Sequence, residues 1–206
     1  MKKIITLVAL FVAVISSAQT QFEQGMNKAF GLWKEGKNAE ASALFERIAA
    51  AEKNSYLPNY YIAMINATAV FTEKDKTKID LLLTKAQDAL DIELIKDQAN
   101  SELYVMQALI YTGYVVADPM TNGMKYSGKV MEAYAKAKAL DPTNPRAVFG
   151  EADYQLGGAK WTGVDTKPLC AQVDKSIELF NTFKPATPYS PKWGLDRALE
   201  IQKTCK

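Results

Sequence analysis

The chain has 206 residues, and its 25 lysine and arginine residues nearly balance its 23 acidic residues. A nucleic-acid-binding domain needs a basic surplus, which this composition does not supply, so we expect no nucleic-acid partner. The sequence contains no histidine, which excludes Ser-His-Asp and Cys-His catalysis and most zinc sites, and its two cysteines are too few for a structural metal site.

These counts favour a binding protein over an enzyme. Catalysis by a pair of carboxylates stays formally possible, but no acidic pair stands apart from the ordinary charged faces of the predicted helices. We therefore expect no enzymatic activity, no metal site and no cofactor.

The first residues have the pattern of a secretory signal peptide. Lys2 and Lys3 are followed by twelve apolar or neutral residues and then by the small residues that precede a cleavage site after Ala18. A buried helix or a membrane anchor is the alternative, but a spanning helix needs about 20 apolar residues. We expect a signal peptide over residues 1–18 and a periplasmic or secreted domain over residues 19–206, without a membrane span.

Two amphipathic helices follow, joined by a short turn. The first apolar set has the spacing of one helix face: Phe22, Met26, Ala29 and Trp33. The second set repeats this spacing after the turn: Ala41, Leu44, Phe45 and Ile48. Gly36 suits the left-handed end of the first helix, and Asn38 suits the N-cap of the second. The segment therefore predicts a hairpin of two helices.

The same unit recurs along the chain. Small residues that permit close helix packing recur at wide spacing: Ala29, Ala63, Ala108 and Ala152. The partner helix that contains Tyr134 should end at Asp141, and Asn144 with Pro145 should begin the next helix. We interpret residues 118–128 and 157–167 as turn-rich insertions.

Two spacings resemble the tetratricopeptide repeat family, namely Ala41 to Phe45 and Tyr134 to Pro142, although the Trp and Leu-Gly of that family's first helix are absent. The resemblance covers about residues 22–183. It implies an all-α fold, a right-handed solenoid of about four helix-turn-helix hairpins. We expect a C-terminal helix to cap the exposed end of such an array.

In that family, the first helix of each hairpin lines a concave face that binds a partner. Transferring the register gives these groove positions: Met26, Phe30, Trp33, Lys34, Tyr60, Met64, Val105, Leu109, Arg146, Phe149 and Asp153. Methionine and aromatic side chains suit peptide binding, so we expect a non-enzymatic scaffold for a protein or peptide. The alternative is that neighbouring helices or the insertions bury these residues.

A second functional hypothesis is a soluble binder of a small molecule or a cell-wall fragment. In that case, the segment that contains Trp161 would close over a ligand bound at the aromatic groove. The sequence does not identify the partner in either case.

The tail resembles exported bacterial tetratricopeptide proteins to which no activity is assigned. The resemblance lies in Phe183-Lys184-Pro185, in Pro191-Lys192-Trp193-Gly194 and in Cys205. We expect Ser190 and Pro191 to begin the capping helix as its N-cap and first residue.

Cys170 and Cys205 are predicted to form a disulfide, because an even number of cysteines in an exported protein usually pairs. Cys170 shares a helix face with Val173 and Ile177, and Cys205 shares one with Ala198. Both thiols therefore point inward if the capping helix packs on the last hairpin. Two buried free thiols or a redox-active pair are the alternatives.

Overall fold

The structure, a computed structural model, describes residues 21–205. The predicted signal peptide, its cleavage site and Lys206 lie outside the described residues. Within residues 21–205 the chain forms nine helices and no strand, which confirms the all-α prediction. The helices are α1 (residues 21–34), α2 (Asn38–Ala51), α3 (Leu57–Ala69), α4 (Lys76–Lys96), α5 (Ser101–Ala117), α6 (Pro119–Leu140), α7 (Pro145–Thr162), α8 (Thr166–Thr182) and α9 (Leu195–Thr204).

Consecutive helices from α2 onward pack against each other as hairpins, and α9 packs on α8 and α7. Because the turns are short, neighbouring helices run in opposite directions. Helices α3, α5 and α7 therefore run in the same direction, and α5 contacts both α3 and α7. Helix α1 contacts α2 through the rings of Phe30 and Phe45, so the described part of the chain contains four successive helix pairs, in line with the prediction of about four hairpins, and the final helix.

Small residues lie where the helices approach closely. Ala29, Ala63, Ala108 and Ala152 have no exposed surface. The helices approach even more closely at Gly150, because a Cβ atom there would come within 2.5 Å of the Tyr134 ring. Close packing of this kind accounts for the recurrence of small side chains in the sequence.

Several helix ends follow the predicted signals. Gly36 has a left-handed backbone with φ of 77° at the end of α1. The Asn144 side chain accepts hydrogen bonds from the backbone N–H groups of the first turn of α7, and Pro145 is the first residue of that helix. Asn38 is different: Lys37 is the N-cap, and Asn38 is already the first residue of α2. The N-cap prediction at Asn38 was therefore wrong by one position.

The two predicted insertions were wrong, because both segments are largely helical. Residues 119–128 form the start of α6, with Asp118 accepting the N–H of Thr121 as the N-cap. Glycines in this segment lower its intrinsic helix propensity. Packing overrides that preference, since the Tyr126 ring stacks on Tyr114 of α5 at 4.6 Å. The second segment continues α7 as far as Thr162.

The C-terminal helix begins later than predicted. A non-helical stretch, residues 183–194, follows α8, and we call it the crossing segment. Ser190 and Pro191 are buried within it rather than starting a helix. Helix α9 begins at Leu195, after Gly194, whose φ of 112° strongly favours glycine. A Cβ atom at Gly194 would also lie 2.6 Å from the Phe180 ring.

The predicted disulfide is confirmed. Cys170 on α8 and Cys205 at the end of α9 are bonded, with their Cα atoms 5.7 Å apart. Ala198 of α9 packs with Phe149 and Val173 in a cluster formed by α7, α8 and α9. The final helix therefore covers the end of the array and is covalently attached to α8.

We expect Cys205→Ser to lower the free energy of unfolding by roughly 3–4 kcal/mol, because the bond restrains the unfolded chain. The bond spans a sequence separation of 35. Urea denaturation of the oxidised protein and of the variant measures the difference. Adding reductant should lower the unfolding free energy of the wild type by the same amount and leave that of the variant unchanged. Equal stability of the reduced and oxidised wild-type proteins would contradict this account.

Candidate functional site

The crossing segment lies over the first helices, on the face that the sequence predicts as an open groove. The Tyr61 hydroxyl donates to the carbonyl oxygen of Tyr189 at 2.7 Å. The indole N–H of Trp193 donates to the Tyr60 hydroxyl at 2.9 Å. The Tyr189 hydroxyl in turn donates to the backbone carbonyl oxygen of Glu23 in α1 at 3.2 Å. The chain itself therefore occupies part of this face.

Beneath the crossing segment, polar side chains connect the beginnings of α3, α5 and α7. Arg146 donates from Nε to both carboxylate oxygens of Glu102 at 2.9 Å and from Nη2 to Oε1 at 2.7 Å. The Tyr60 hydroxyl donates to Glu102 Oε2 at 3.3 Å. Asn144 donates to Glu102 Oε1 at 2.8 Å and to Ser101 Oγ at 3.0 Å. The Glu102 carboxylate on α5 thus accepts hydrogen bonds from donors at the beginnings of its two parallel neighbours, α3 and α7.

Arg146 is the most deeply buried charge at this site, with an exposed fraction of 0%. Its guanidinium carbon lies 4.4 Å from the centre of the Phe183 ring, at the start of the crossing segment. Burial lowers the pKa of Arg146, but its hydrogen bonds and charge attraction to Glu102 outweigh burial and raise it. Arg146 therefore remains a cation, and Glu102 neutralises it inside the fold.

A cleft remains open between α1, α3 and the crossing segment. Its volume is about 600 Å³. The lining residues are Asn27, Phe30, Trp33, Tyr61, Met64, Pro188, Tyr189, Ser190, Lys192 and Trp193.

Five of the ten residues that line this cleft are aromatic. Phe30 is the centre of the group: its ring lies 4.6 Å from Tyr61 and 6.2 Å from Tyr189, nearly parallel to the latter. The Trp33 ring lies 6.4 Å from Phe30 and 6.1 Å from Tyr61. Lys192 is exposed at the rim. Such a cleft can hold a flat apolar molecule against ring faces and attract a negative group at its edge.

The cleft offers few groups that could bind a metal ion. Burial raises the pKa of Tyr61, with nearby Tyr56 adding to the effect, so the phenol is neutral at pH 7. Its proton is also committed to the Tyr189 carbonyl oxygen. The sequence has no histidine, and residues 21–205 contain no group of three or more cysteine or acidic side chains placed to hold a metal ion.

The predicted groove residues are divided between the cleft, the core and the surface. Phe30, Trp33 and Met64 line the cleft. Buried positions elsewhere are Met26, Tyr60, Val105, Arg146 and Phe149. Leu109 is half-buried against the core, Lys34 is exposed, and Asp153 pairs with Arg197 at 3.3 Å. Their role in binding a partner stays a prediction.

The sequence analysis missed Tyr61, Tyr189 and Lys192 as lining residues, and it assigned Trp193 only to a family-like motif. The prolines at 185, 188 and 191 were a signal, because closely spaced prolines disfavour a helix here. The hypothesis that the Trp161 segment closes over the groove was wrong. Trp161 belongs to α7 and does not line the cleft.

No protein-family model matches the chain, and no curated protein matches it. The fold is similar to that of the HusA haemophore from Porphyromonas gingivalis, with a TM-score of 0.78 and 23% sequence identity. The match covers 90% of this chain and 92% of the HusA chain. The likeness therefore extends over nearly the whole helical array and shows a shared fold.

Within residues 21–205, no helix is long and apolar enough to cross a membrane.

We expect Arg146→Met to destabilise the protein by about 3–5 kcal/mol, because it leaves the largely buried Glu102 without its cation. Adding Glu102→Leu should recover part of that loss, since the unpaired carboxylate is then gone. Urea denaturation of the single and double variants gives the coupling free energy between Arg146 and Glu102. Arg197→Met is the matched control, because Arg197, which pairs with Asp153, is itself largely exposed, and such a pair should contribute less than about 1 kcal/mol. A similar small loss for Arg146→Met would contradict the account.

Proposed function

We propose that the protein is a non-enzymatic binding protein for a planar, largely apolar small molecule that carries a carboxylate. A porphyrin such as haem is the ligand class that we favour. The aromatic cleft between α1, α3 and the crossing segment carries this proposal. The bound ring would lie against the side chains of Phe30, Trp33 and Tyr189, with its carboxylate towards Lys192.

The dimensions and chemistry of the cleft support a ligand of this class. Small-molecule sites usually measure about 300–1,000 Å³, are mostly apolar and contain a few polar groups that set orientation. The cleft has about 600 Å³, with aromatic walls and an exposed lysine at its rim. Aromatic rings favour offset stacking against a flat conjugated molecule. A lysine ammonium attracts a carboxylate without requiring one fixed geometry.

The likeness to HusA gives separate support, since that protein is described as a haemophore and the shared fold spans 90% of this chain. The residues of this chain limit how a porphyrin could be held. Haem proteins hold iron through histidine, cysteine, methionine or tyrosine side chains. Here there is no histidine, both cysteines are in the disulfide, and the neutral Tyr61 phenol and the Tyr189 hydroxyl are both hydrogen-bonded to backbone oxygens. Met64 lines the cleft, but only 8% of its surface is exposed, so its sulfur offers little access to an iron atom. We therefore expect the ring, rather than its iron, to be recognised.

Export fits the same proposal. A disulfide forms and persists in an oxidising compartment, and Cys170 is bonded to Cys205. Together with the signal peptide predicted over residues 1–18, this favours a periplasmic or secreted protein that meets its ligand outside the cytoplasm.

Binding of a protein or peptide is the second candidate. Its support is that a non-helical stretch of chain, the crossing segment, already lies on the predicted groove, with a backbone carbonyl accepting from Tyr61. A partner peptide would have to displace Tyr189 and Trp193 from their hydrogen bonds. This cost makes an open peptide groove the less favoured function.

The test is a titration of the mature protein with haem and with iron-free protoporphyrin, followed by absorbance and by quenching of tryptophan fluorescence. Both ligands should bind with dissociation constants within about threefold of each other, because no iron ligand is needed. Trp33→Ala should weaken both by about tenfold, the loss of roughly 1.4 kcal/mol of stacking and burial. Trp161→Ala is the matched control and should bind like the wild type.

A second comparison tests the rim of the cleft. Lys192→Gln should weaken binding of the free-acid porphyrin about two- to fivefold, as expected for an exposed ion pair. Binding of the porphyrin dimethyl ester should not change, because the ester has no charge for Lys192 to attract. Binding of haem without binding of the iron-free ring, or wild-type affinity in Trp33→Ala, would refute this proposal.

A further inference from the structure

Large apolar side chains are concentrated at one edge of the helical array. Because α3, α5 and α7 run in the same direction, their C-terminal ends lie at the same edge, where the turns to α4, α6 and α8 begin. Among residues 21–205, ten large apolar side chains are exposed, and seven of them lie at this edge: Phe71, Leu81, Val116, Met120, Met124, Trp161 and Val164. We call these seven the apolar edge.

Three members of the apolar edge are almost fully exposed. Met120 and Met124 have exposed fractions of 92% and 98%, and they lie one turn apart at the start of α6. Trp161, near the end of α7, is 84% exposed. Tryptophan and methionine gain free energy by leaving water, and an exposed apolar patch usually marks an interaction surface. Because these three side chains are almost fully exposed, packing within the chain does not explain why they are apolar.

Lysines surround the apolar edge. The edge segments, residues 70–81, 116–129 and 160–167, contain seven lysines and five acidic residues. All seven lysines are exposed, and Lys160 lies over the Trp161 ring at 5.7 Å. Three of the acidic residues, Asp75, Asp118 and Asp165, accept hydrogen bonds from backbone N–H groups at helix starts. These carboxylates are held against the helix ends. Some of the lysines lie over aromatic rings, but all seven stay exposed, and their flexible stems can bring the ammonium groups to an anionic surface.

The combination of side chains favours a lipid surface over a protein partner. Protein interfaces are enriched in arginine and depleted in lysine, whereas the edge segments contain lysine and no arginine. Tryptophan is enriched at the boundary between lipid and water. Lysines attract anionic headgroups, and their flexible stems let apolar neighbours enter the boundary region.

We propose that the apolar edge binds the surface of a bilayer that contains anionic phospholipids. Met120, Met124 and Trp161 enter the boundary between headgroups and acyl chains, and the surrounding lysines contact the headgroups. The protein lies on this surface and does not span it. None of the three side chains lines the aromatic cleft, so this proposal is independent of the proposed ligand.

Vesicle sedimentation with the mature protein tests the proposal. Vesicles of phosphatidylcholine alone are compared with vesicles that contain about one third phosphatidylglycerol. The wild-type protein should bind the anionic vesicles at least tenfold more strongly, because each lysine near such a surface contributes about a fivefold increase in affinity. High salt should remove most of this preference.

Variants separate the apolar edge from other exposed apolar positions. A triple variant, Met120→Ser with Met124→Ser and Trp161→Ser, should lose at least tenfold in binding to anionic vesicles. Ile92→Ser with Ile95→Ser is the matched control, since both side chains are exposed on α4 towards its opposite end. The control should bind like the wild type. All the substituted positions are exposed, so helicity and melting temperature should stay near wild-type values, and both are measured.

Three results would overturn the proposal. The wild-type protein could remain in the supernatant with both vesicles, or the triple variant could bind as well as the wild type. The third result is self-association of the wild-type protein that the triple variant abolishes. It is measured by sedimentation equilibrium without lipid. That result would make the apolar edge an interface between two copies of this chain instead of a lipid-binding surface.

Discussion

The buried ion pair between Arg146 and Glu102 is the constraint on which the arrangement of the groove depends. A cation without any exposed surface requires a partner, and Glu102 supplies it from the beginning of the neighbouring parallel helix. The same carboxylate accepts from Tyr60, and Tyr60 accepts from Trp193. The charge pair is therefore connected through hydrogen bonds to the crossing segment, which determines how much of the groove remains open.

This arrangement explains why a repeat array can present a cleft instead of a long groove. The crossing segment begins with Phe183 against Arg146 and ends at Gly194, where no larger residue fits beside Phe180. The disulfide between Cys170 and Cys205 holds the helices on either side of it. Both ends of the segment are thus restrained, and Tyr189 lies between them against the aromatic residues of α1 and α3.

Local patterns predict most of the helices, because apolar periodicity and capping residues act within a few positions. Asn144 with Pro145 began α7 as expected. Prediction failed where tertiary packing overrides local preference: Tyr126 stacks on Tyr114 and keeps the glycine-containing start of α6 helical. The cleft could be predicted only in part. Phe30, Trp33 and Met64 follow from the groove register that the resemblance to tetratricopeptide repeats implies, but Tyr189 reaches them across a long sequence separation that no local pattern encodes.

The most direct test of this account is hydrogen exchange at the tryptophan indoles of the ligand-free protein, followed by NMR. Trp193 donates its indole N–H to Tyr60 within the fold, whereas Trp161 is 84% exposed and provides an internal reference. If the crossing segment occupies the groove, the Trp193 indole should exchange roughly a hundredfold more slowly than that of Trp161. Equally fast exchange at the two indoles would show that the groove is open, and would contradict the account.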